Sequence, residues 1–451
     1  MKNAWKRWLL PAAPCVALAA VLPDPHLLSV RDWAAPALFL LSLAGLTAAW
    51  TRQVRWQGWS IALAWLAVLG LVLAGVAEHH LHKLAVLDAA EQAPARMAAL
   101  GEHMVVGYED IDQVRELARR GLIGGLFITR RNVEGKRLEQ LRAELAGIQA
   151  VRRQAGLPPL MLSTDQEGGP VSRLSPLLPR QPALASVLGP GLSPPQIEQR
   201  ARAYGEQQAK GLADLGINTN FSPVVDLKPA HPAAALDFHT RIADRAIAEQ
   251  ADTVTRVALA YSQALHAHGV MPTLKHFPGL GRVKQDSHHF TARLETSTAI
   301  LEASDWQPFR RILAQTPAML MVGHVVVEAL DPTRPASLSR RVLTGLVRET
   351  WGFDGVLITD DMTMAAVYDR GLCQASVEAL NAGVDLLLFA YDWEKYYPAM
   401  DCLAQAQATG KLVALEASRQ RLARLPWRNG AEAGRISGGP SERKLHGNPQ
   451  W

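Results

Sequence analysis

Two kinds of apolar pattern divide the chain. Before residue 84, three stretches carry no Asp, Glu, Lys or Arg: Trp8–Leu22, Trp33–Trp50 and Trp59–Val76. The second and third approach the roughly 20 residues a helix needs to cross a bilayer core. From residue 100 onward the apolar runs shorten to strand length. They recur at Met104–Tyr108, Gly124–Thr129, Leu160–Thr164, Ile217–Val225, Val270–Lys275, Ala318–Val322, Gly355–Thr359 and Asp385–Ala390. Helical stretches fill most of the gaps, at Arg137–Ala155, Pro195–Leu215, Ala246–His268, Ser339–Glu349 and Leu372–Ala382. Strand and helix alternating about eight times predict an α/β fold with a parallel sheet, and a closed (β/α)8 TIM-type barrel fits the count. A doubly wound open sheet competes, but no G-x-G-x-x-G follows a first strand to support dinucleotide binding.

The N-terminal pattern predicts an α-helical transmembrane anchor over residues 1–83, with two or three helices contacting membrane lipid. The first segment is short, holds Pro11 and Pro14, and follows Lys2, Lys6 and Arg7, so it also reads as a signal peptide. Seven of the 12 tryptophans precede residue 84, and Trp33, Trp50 and Trp59 stand at segment ends, where indoles prefer the interface. Basic residues at the N-terminus, and Arg52 and Arg55 between the second and third segments, place those parts in the cytoplasm. Everything after Val76 then faces out. The expected location is a bacterial cytoplasmic membrane, with the barrel (residues 84–425) periplasmic or extracellular. Residues 426–451 lack periodicity and read as a disordered tail.

Composition sharpens this picture. Of 451 residues, 48% are hydrophobic and 20% charged, which excludes a largely disordered chain. Cys15, Cys373 and Cys402 lie too far apart for a C-x-x-C zinc or redox motif. The net charge of +5 invites a nucleic-acid reading. Residues 1–83, however, hold seven Lys or Arg against three Asp or Glu, and residues 426–451 hold four against two. That leaves −1 for residues 84–425, so no nucleic-acid partner is expected.

Polar residues follow the predicted strands directly: Asp165-Gln166-Glu167, Asn220 and Asp226, Lys275-His276, His324, and Asp360-Asp361. A barrel builds its active site at these C-terminal strand ends. After Lys275-His276, a Gly/Pro loop returns Asp286 and His288 in a D-x-H spacing. A carboxylate bonded to one imidazole nitrogen fixes the tautomer and leaves the other to move a proton. Asp360 ends an apolar strand, where a carboxylate can attack a sugar's anomeric carbon. Either Asp360 or Asp361 also suits an N-cap of the helix expected near Thr363.

Four segments together resemble glycoside hydrolase family 3, in its bacterial β-N-acetylhexosaminidase (β-N-acetylglucosaminidase) branch. They are Asp165–Gly169 (DQEGG), Lys275–Gly281 leading to Asp286–His288, Pro335–Ser339, and Gly352–Met364. The resemblance implies a retaining glycosidase that removes terminal β-linked N-acetylglucosamine, with peptidoglycan-derived glycans as the substrate class and no cofactor. Asp360 matches the nucleophile, His288 the acid/base and Asp286 its partner. Asp165, Arg173, Arg245, Lys275 and His276 match residues that hold the sugar. The chain departs from the family pattern at Pro170, Leu280, Ala246-Ile247 and the residues after His288. Two other readings compete: a metal-dependent barrel hydrolase using His276, His288, His289, His324 and Asp360, and a membrane-anchored glycan sensor without turnover. A phosphorylase, with phosphate replacing water, would keep the same residues.

Overall fold

The computed structural model describes residues 70, 77–78, 80–229, 241–283, 292–364, 367, 370–413 and 415–429. Eight parallel strands close into a barrel: β1 (Met104–Val106), β2 (Gly125–Ile128), β3 (Met161–Thr164), β4 (Thr219–Asn220), β5 (Met271–Phe277), β6 (Met319–Val322), β7 (Leu357–Asp361) and β8 (Leu386–Phe389). Each strand pairs with its sequence neighbours, and β8 returns to β1 through Met104↔Leu387 and Val106↔Phe389. Around them run α1 (Ile111–Arg119), α2 (Leu138–Gln154), α3 (Pro194–Asp214), α4 (Ala251–Ala267), α5 (Gln307–Leu313), α6 (Arg341–Thr350, wound as a π-helix), α7 (Leu372–Ala382) and α8 (Tyr396–Ala408). The TIM-type architecture expected from the alternating pattern is therefore present.

Side chains alternate along each strand, so the barrel needs two apolar sets. Val105, Phe127, Met161, Phe221, Met319, Met321, Ile358 and Leu388 fill the interior. Met104, Val106, Leu126, Leu162, Leu320 and Leu387 instead pack outward against the helices. This double burial is why the strands read as unbroken apolar runs. Local chemistry sets several boundaries. Asp110 caps α1 by accepting from the Asp112 and Gln113 backbone N–H groups. Pro194 opens α3 where no helical N–H is needed. Gly383 ends α7 with φ +109°, a conformation that side chains disfavour.

Three expectations need correction. The run Ile217–Val225 is not one strand. Pro223 has no N–H for the ladder, so β4 stops at Asn220 and only Val224 pairs again, opposite Lys275. The helix expected from Ala246 begins at Ala251, because Ala246–Ala248 is buried chain whose Ala248 carbonyl accepts from Lys228 N at 2.8 Å. Pro426–Asn429, assigned to the tail, forms a short 3-10 turn, and the remaining tail lies outside the described residues. So do the three apolar N-terminal segments, apart from Gly70. Among the described residues no helix is long and apolar enough to cross a membrane.

Two further ties close the fold. Cys373 of α7 and Cys402 of α8 form a disulfide with a Cα–Cα distance of 5.5 Å. Asp385, fully buried at the start of β8, accepts from Arg348 (2.7 Å), Arg421 (2.9 Å), Ser418 (2.6 Å) and the Leu357 N–H (2.8 Å). It thus joins α6, β7 and the helix Glu416–Ala423 that plugs the barrel floor with Leu422. Removing one partner of a buried ion pair costs about 3–5 kcal/mol, because the other charges stay buried. Asp385→Ala is expected to lose about that much stability in urea unfolding; a loss under about 1 kcal/mol would contradict the role given to Asp385.

Candidate active site

The expected site residues leave the C-terminal ends of different strands and meet at one mouth. Asp165 directly follows β3, Lys275 and His276 sit near the end of β5, and Asp360 lies near the end of β7. A small hairpin, Gln166–Gly168 against Val171–Ser172, follows Asp165 and carries Glu167 inward. The Arg173 N–H donates to the Asp165 carbonyl at 3.1 Å, which holds both residues beside the hairpin. Arg245 arrives from the short helix Ile242–Arg245.

A chain of charges links these groups. Lys275 Nζ donates to Asp165 Oδ1 and Glu167 Oε1, each at 2.6 Å. Arg245 grips Glu167 with two bonds, Nε to Oε2 at 2.9 Å and Nη2 to Oε1 at 2.7 Å. Arg245 Nη2 also lies 3.3 Å from His276 Nε2, and His276 Nδ1 lies 2.8 Å from Asp226 Oδ2. A guanidinium only donates, so His276 Nε2 accepts and Nδ1–H donates to Asp226. The imidazole is thereby held in one tautomer and one orientation. Asp226 further accepts from the His276 N–H at 3.2 Å and the Leu280 N–H at 2.7 Å.

This network is almost dry. Lys275 is 2% exposed and Asp226 0%. Burial would raise the Glu167 pKa, but the charges of Arg245 and Lys275 outweigh it and hold the carboxyl below the usual range. Glu167 therefore stays ionised, and together with Asp165 it offsets the charges of Lys275 and Arg245.

Asp360 and Asp361 divide two tasks. Asp360 is half-buried, and its Oδ1 accepts from the Asp361 N–H at 2.9 Å. Asp361 turns the other way and is buried. Its carboxylate accepts from Thr363 N (3.0 Å), Thr363 Oγ1 (2.9 Å), Ala390 N (3.3 Å) and Tyr391 N (3.2 Å). Burial raises its pKa to about 6 against the lowering effect of those bonds. Asp361 thus closes the turn at Thr363 and ties β7 to the chain after β8. His324 braces the same strand end, with Nε2 3.0 Å from the Asp361 carbonyl and Nδ1 2.7 Å from Ser337 Oγ.

The structure brings Asp165, Arg173, Arg245, Lys275, His276 and Asp360 to this mouth; Asp286 and His288 lie outside the described residues. Arg245 faces Glu167 and His276, so it orders the network. Glu167 and Asp226 stood among the strand-end polar residues, but nothing in the sequence paired them with Arg245 and His276. Tyr391 gave no signal beyond its place just after an apolar run. Among the described residues no group of three or more His, Cys, Asp or Glu side chains is arranged to hold a metal ion. The departures at Leu280, Ala246 and Ile247 are buried apolar side chains.

Comparison with known proteins identifies the family. The chain is 36% identical over 324 residues to beta-hexosaminidase LpqI of Mycobacterium tuberculosis, covering 69% of this chain and 77% of that protein. It is 34% identical over 296 residues to the beta-hexosaminidase of Pseudomonas aeruginosa, covering 65% and 83%. The solved structure of a glycoside hydrolase family 3 beta-N-acetylglucosaminidase from Paenibacillus superposes with a TM-score of 0.66 at 29% identity, covering 78% of this chain and 66% of that one. The solved structure of Mycobacterium tuberculosis LpqI gives 0.63 at 34% identity, covering 74% and 93%. Residues 86–425 match the model of the glycosyl hydrolase family 3 N terminal domain, and the chain belongs to that family.

Proposed function

We infer that this chain is a β-N-acetylhexosaminidase, a glycosidase that removes terminal N-acetylglucosamine from a β-linked glycan. The observation that carries this reading is the buried network Asp165–Lys275–Glu167–Arg245–His276–Asp226 at the barrel mouth, in a chain that shares its family with named beta-hexosaminidases. Such a network fixes polar groups before substrate arrives, so little reorganisation is left for the reaction. Asp165 offers a carboxylate to sugar hydroxyls, while Arg173 offers N–H donors to an oxygen.

The proposed reaction is a double displacement. The Asp360 carboxylate attacks the anomeric carbon, and a covalent glycosyl ester forms as the bond to the leaving oxygen breaks. His288, oriented by Asp286, gives that oxygen its proton. The same imidazole then takes a proton from water, the hydroxide attacks the anomeric carbon, and Asp360 is released with the β configuration retained. Peptidoglycan fragments are the proposed substrate class. The activity test compares aryl β-N-acetylglucosaminide with aryl β-glucoside on purified protein. At least tenfold higher kcat/KM on the former is expected, and equal or faster cleavage of the glucoside would overturn the substrate assignment.

The barrel is proposed to lie outside the cytoplasmic membrane of a bacterium, tethered by segments within residues 1–83. The charge pattern of those segments supports this, as does the Cys373–Cys402 bridge, a bond kept in oxidising compartments. An alkaline phosphatase fused after residue 425 is expected to be active in a bacterial host. An inactive fusion, with a cytoplasmic reporter active at the same junction, would reverse the orientation.

A further inference from the structure

Tyr391 stands two residues past the end of β8 and packs on top of the barrel interior. Its ring meets the edge of Phe127 at 6.1 Å and 76°, and Phe127 itself stacks on Phe221 at 5.7 Å. The Arg173 guanidinium lies over the Tyr391 ring at 5.6 Å. Arg173 Nε is buried and finds no hydrogen-bond partner among the described residues. The Tyr391 backbone is equally constrained, because its N–H and that of Ala390 both donate to the Asp361 carboxylate, next to the proposed nucleophile Asp360.

The side chain lies among the charges of the mouth. Its charged neighbours are Arg173, Asp165, Asp361 and Asp360, the groups on both sides of the mouth. Burial holds its pKa above the ordinary value, so it remains a neutral O–H able to donate. An aromatic face beside a ring of carboxylates and cations suits a pyranose, whose C–H faces are apolar and whose rim is polar. None of the segments that carry the family resemblance includes this residue.

We propose that Tyr391, stacked with Arg173, is a substrate-contacting wall of the sugar pocket between Asp165 and Asp360, and that Asp361 is the positioning residue that holds it there. This rests on the glycosidase reading. A wall touches bound sugar and transition state alike, so its loss weakens binding more than turnover.

Tyr391→Ala is expected to raise KM for aryl β-N-acetylglucosaminide at least tenfold with kcat within about threefold of wild type. Tyr391→Phe, which keeps the ring and loses only the donor, is expected to raise KM less than Tyr391→Ala does. Arg173→Ala combined with Tyr391→Ala is expected to lose less than the product of the two single effects, since the side chains act as one surface. A folded Tyr391→Ala enzyme with KM within about twofold of wild type would overturn the proposal. If that variant does not fold, a crystal structure of the wild-type protein with N-acetylglucosamine decides. Carbon–carbon contact between sugar and ring within about 4.5 Å is expected, and a sugar separated from the ring by water would overturn the proposal. Wild-type protein that fails to cleave any aryl glycoside would instead reject the glycosidase reading, a result the Tyr391 variants cannot produce.

Discussion

A lysine ammonium almost wholly withdrawn from water sets the arrangement of charge at the barrel mouth. Lys275 is 2% exposed, and an unpaired charge at such depth costs several kcal/mol. Asp165 and Glu167 supply the compensation at 2.6 Å each. Two carboxylates on one ammonium would leave excess negative charge, and Arg245 removes it by gripping Glu167 with two bonds. Arg245 in turn fixes the tautomer of His276, which needs Asp226 as the acceptor for its other nitrogen. Each group thus makes the next one tolerable. The result is a set of polar atoms held in place on rigid strand ends, as catalysis by prearranged electrostatics requires.

The second constraint is the alternation of side chains along β7. Adjacent aspartates at its end must point to opposite sides. Asp360 remains half-buried at the mouth, and Asp361 is spent on four hydrogen bonds that tie β7 to the chain after β8. Two residues of one type therefore separate into a carboxylate open to the mouth and a clamp by position alone. The clamp carries the geometry outward to Tyr391, whose ring meets Arg173, so β7 and the chain after β8 are mechanically joined to the segment that carries Arg173.

Much of this was legible in the sequence. Apolar runs marked all eight strands because both faces of a barrel strand are buried, and the acids, lysine and histidines just past them marked the mouth. The family motifs supplied roles that spacing alone left open between chemistry and capping. What stayed hidden depends on contacts across the chain. Lys275 meets Glu167, and Asp361 meets Tyr391, only after the barrel closes, so no local pattern announces them. The break at Pro223 was visible as a residue but was overridden by the apolar run around it. The Cys373–Cys402 bridge likewise needed α7 and α8 to be packed side by side.

The chemical core of the proposal is a sugar carried covalently on Asp360. A 5-fluoro-N-acetylglucosaminyl fluoride loads such an enzyme quickly and leaves it slowly, because the ring fluorine destabilises the cationic transition states while the fluoride leaving group keeps the first step fast. Peptide mass mapping of the purified protein after this treatment should find one sugar adduct, on the peptide containing Asp360. The absence of any adduct in enzyme that turns over the aryl glycoside, or an adduct on a different carboxylate, would contradict the assignment.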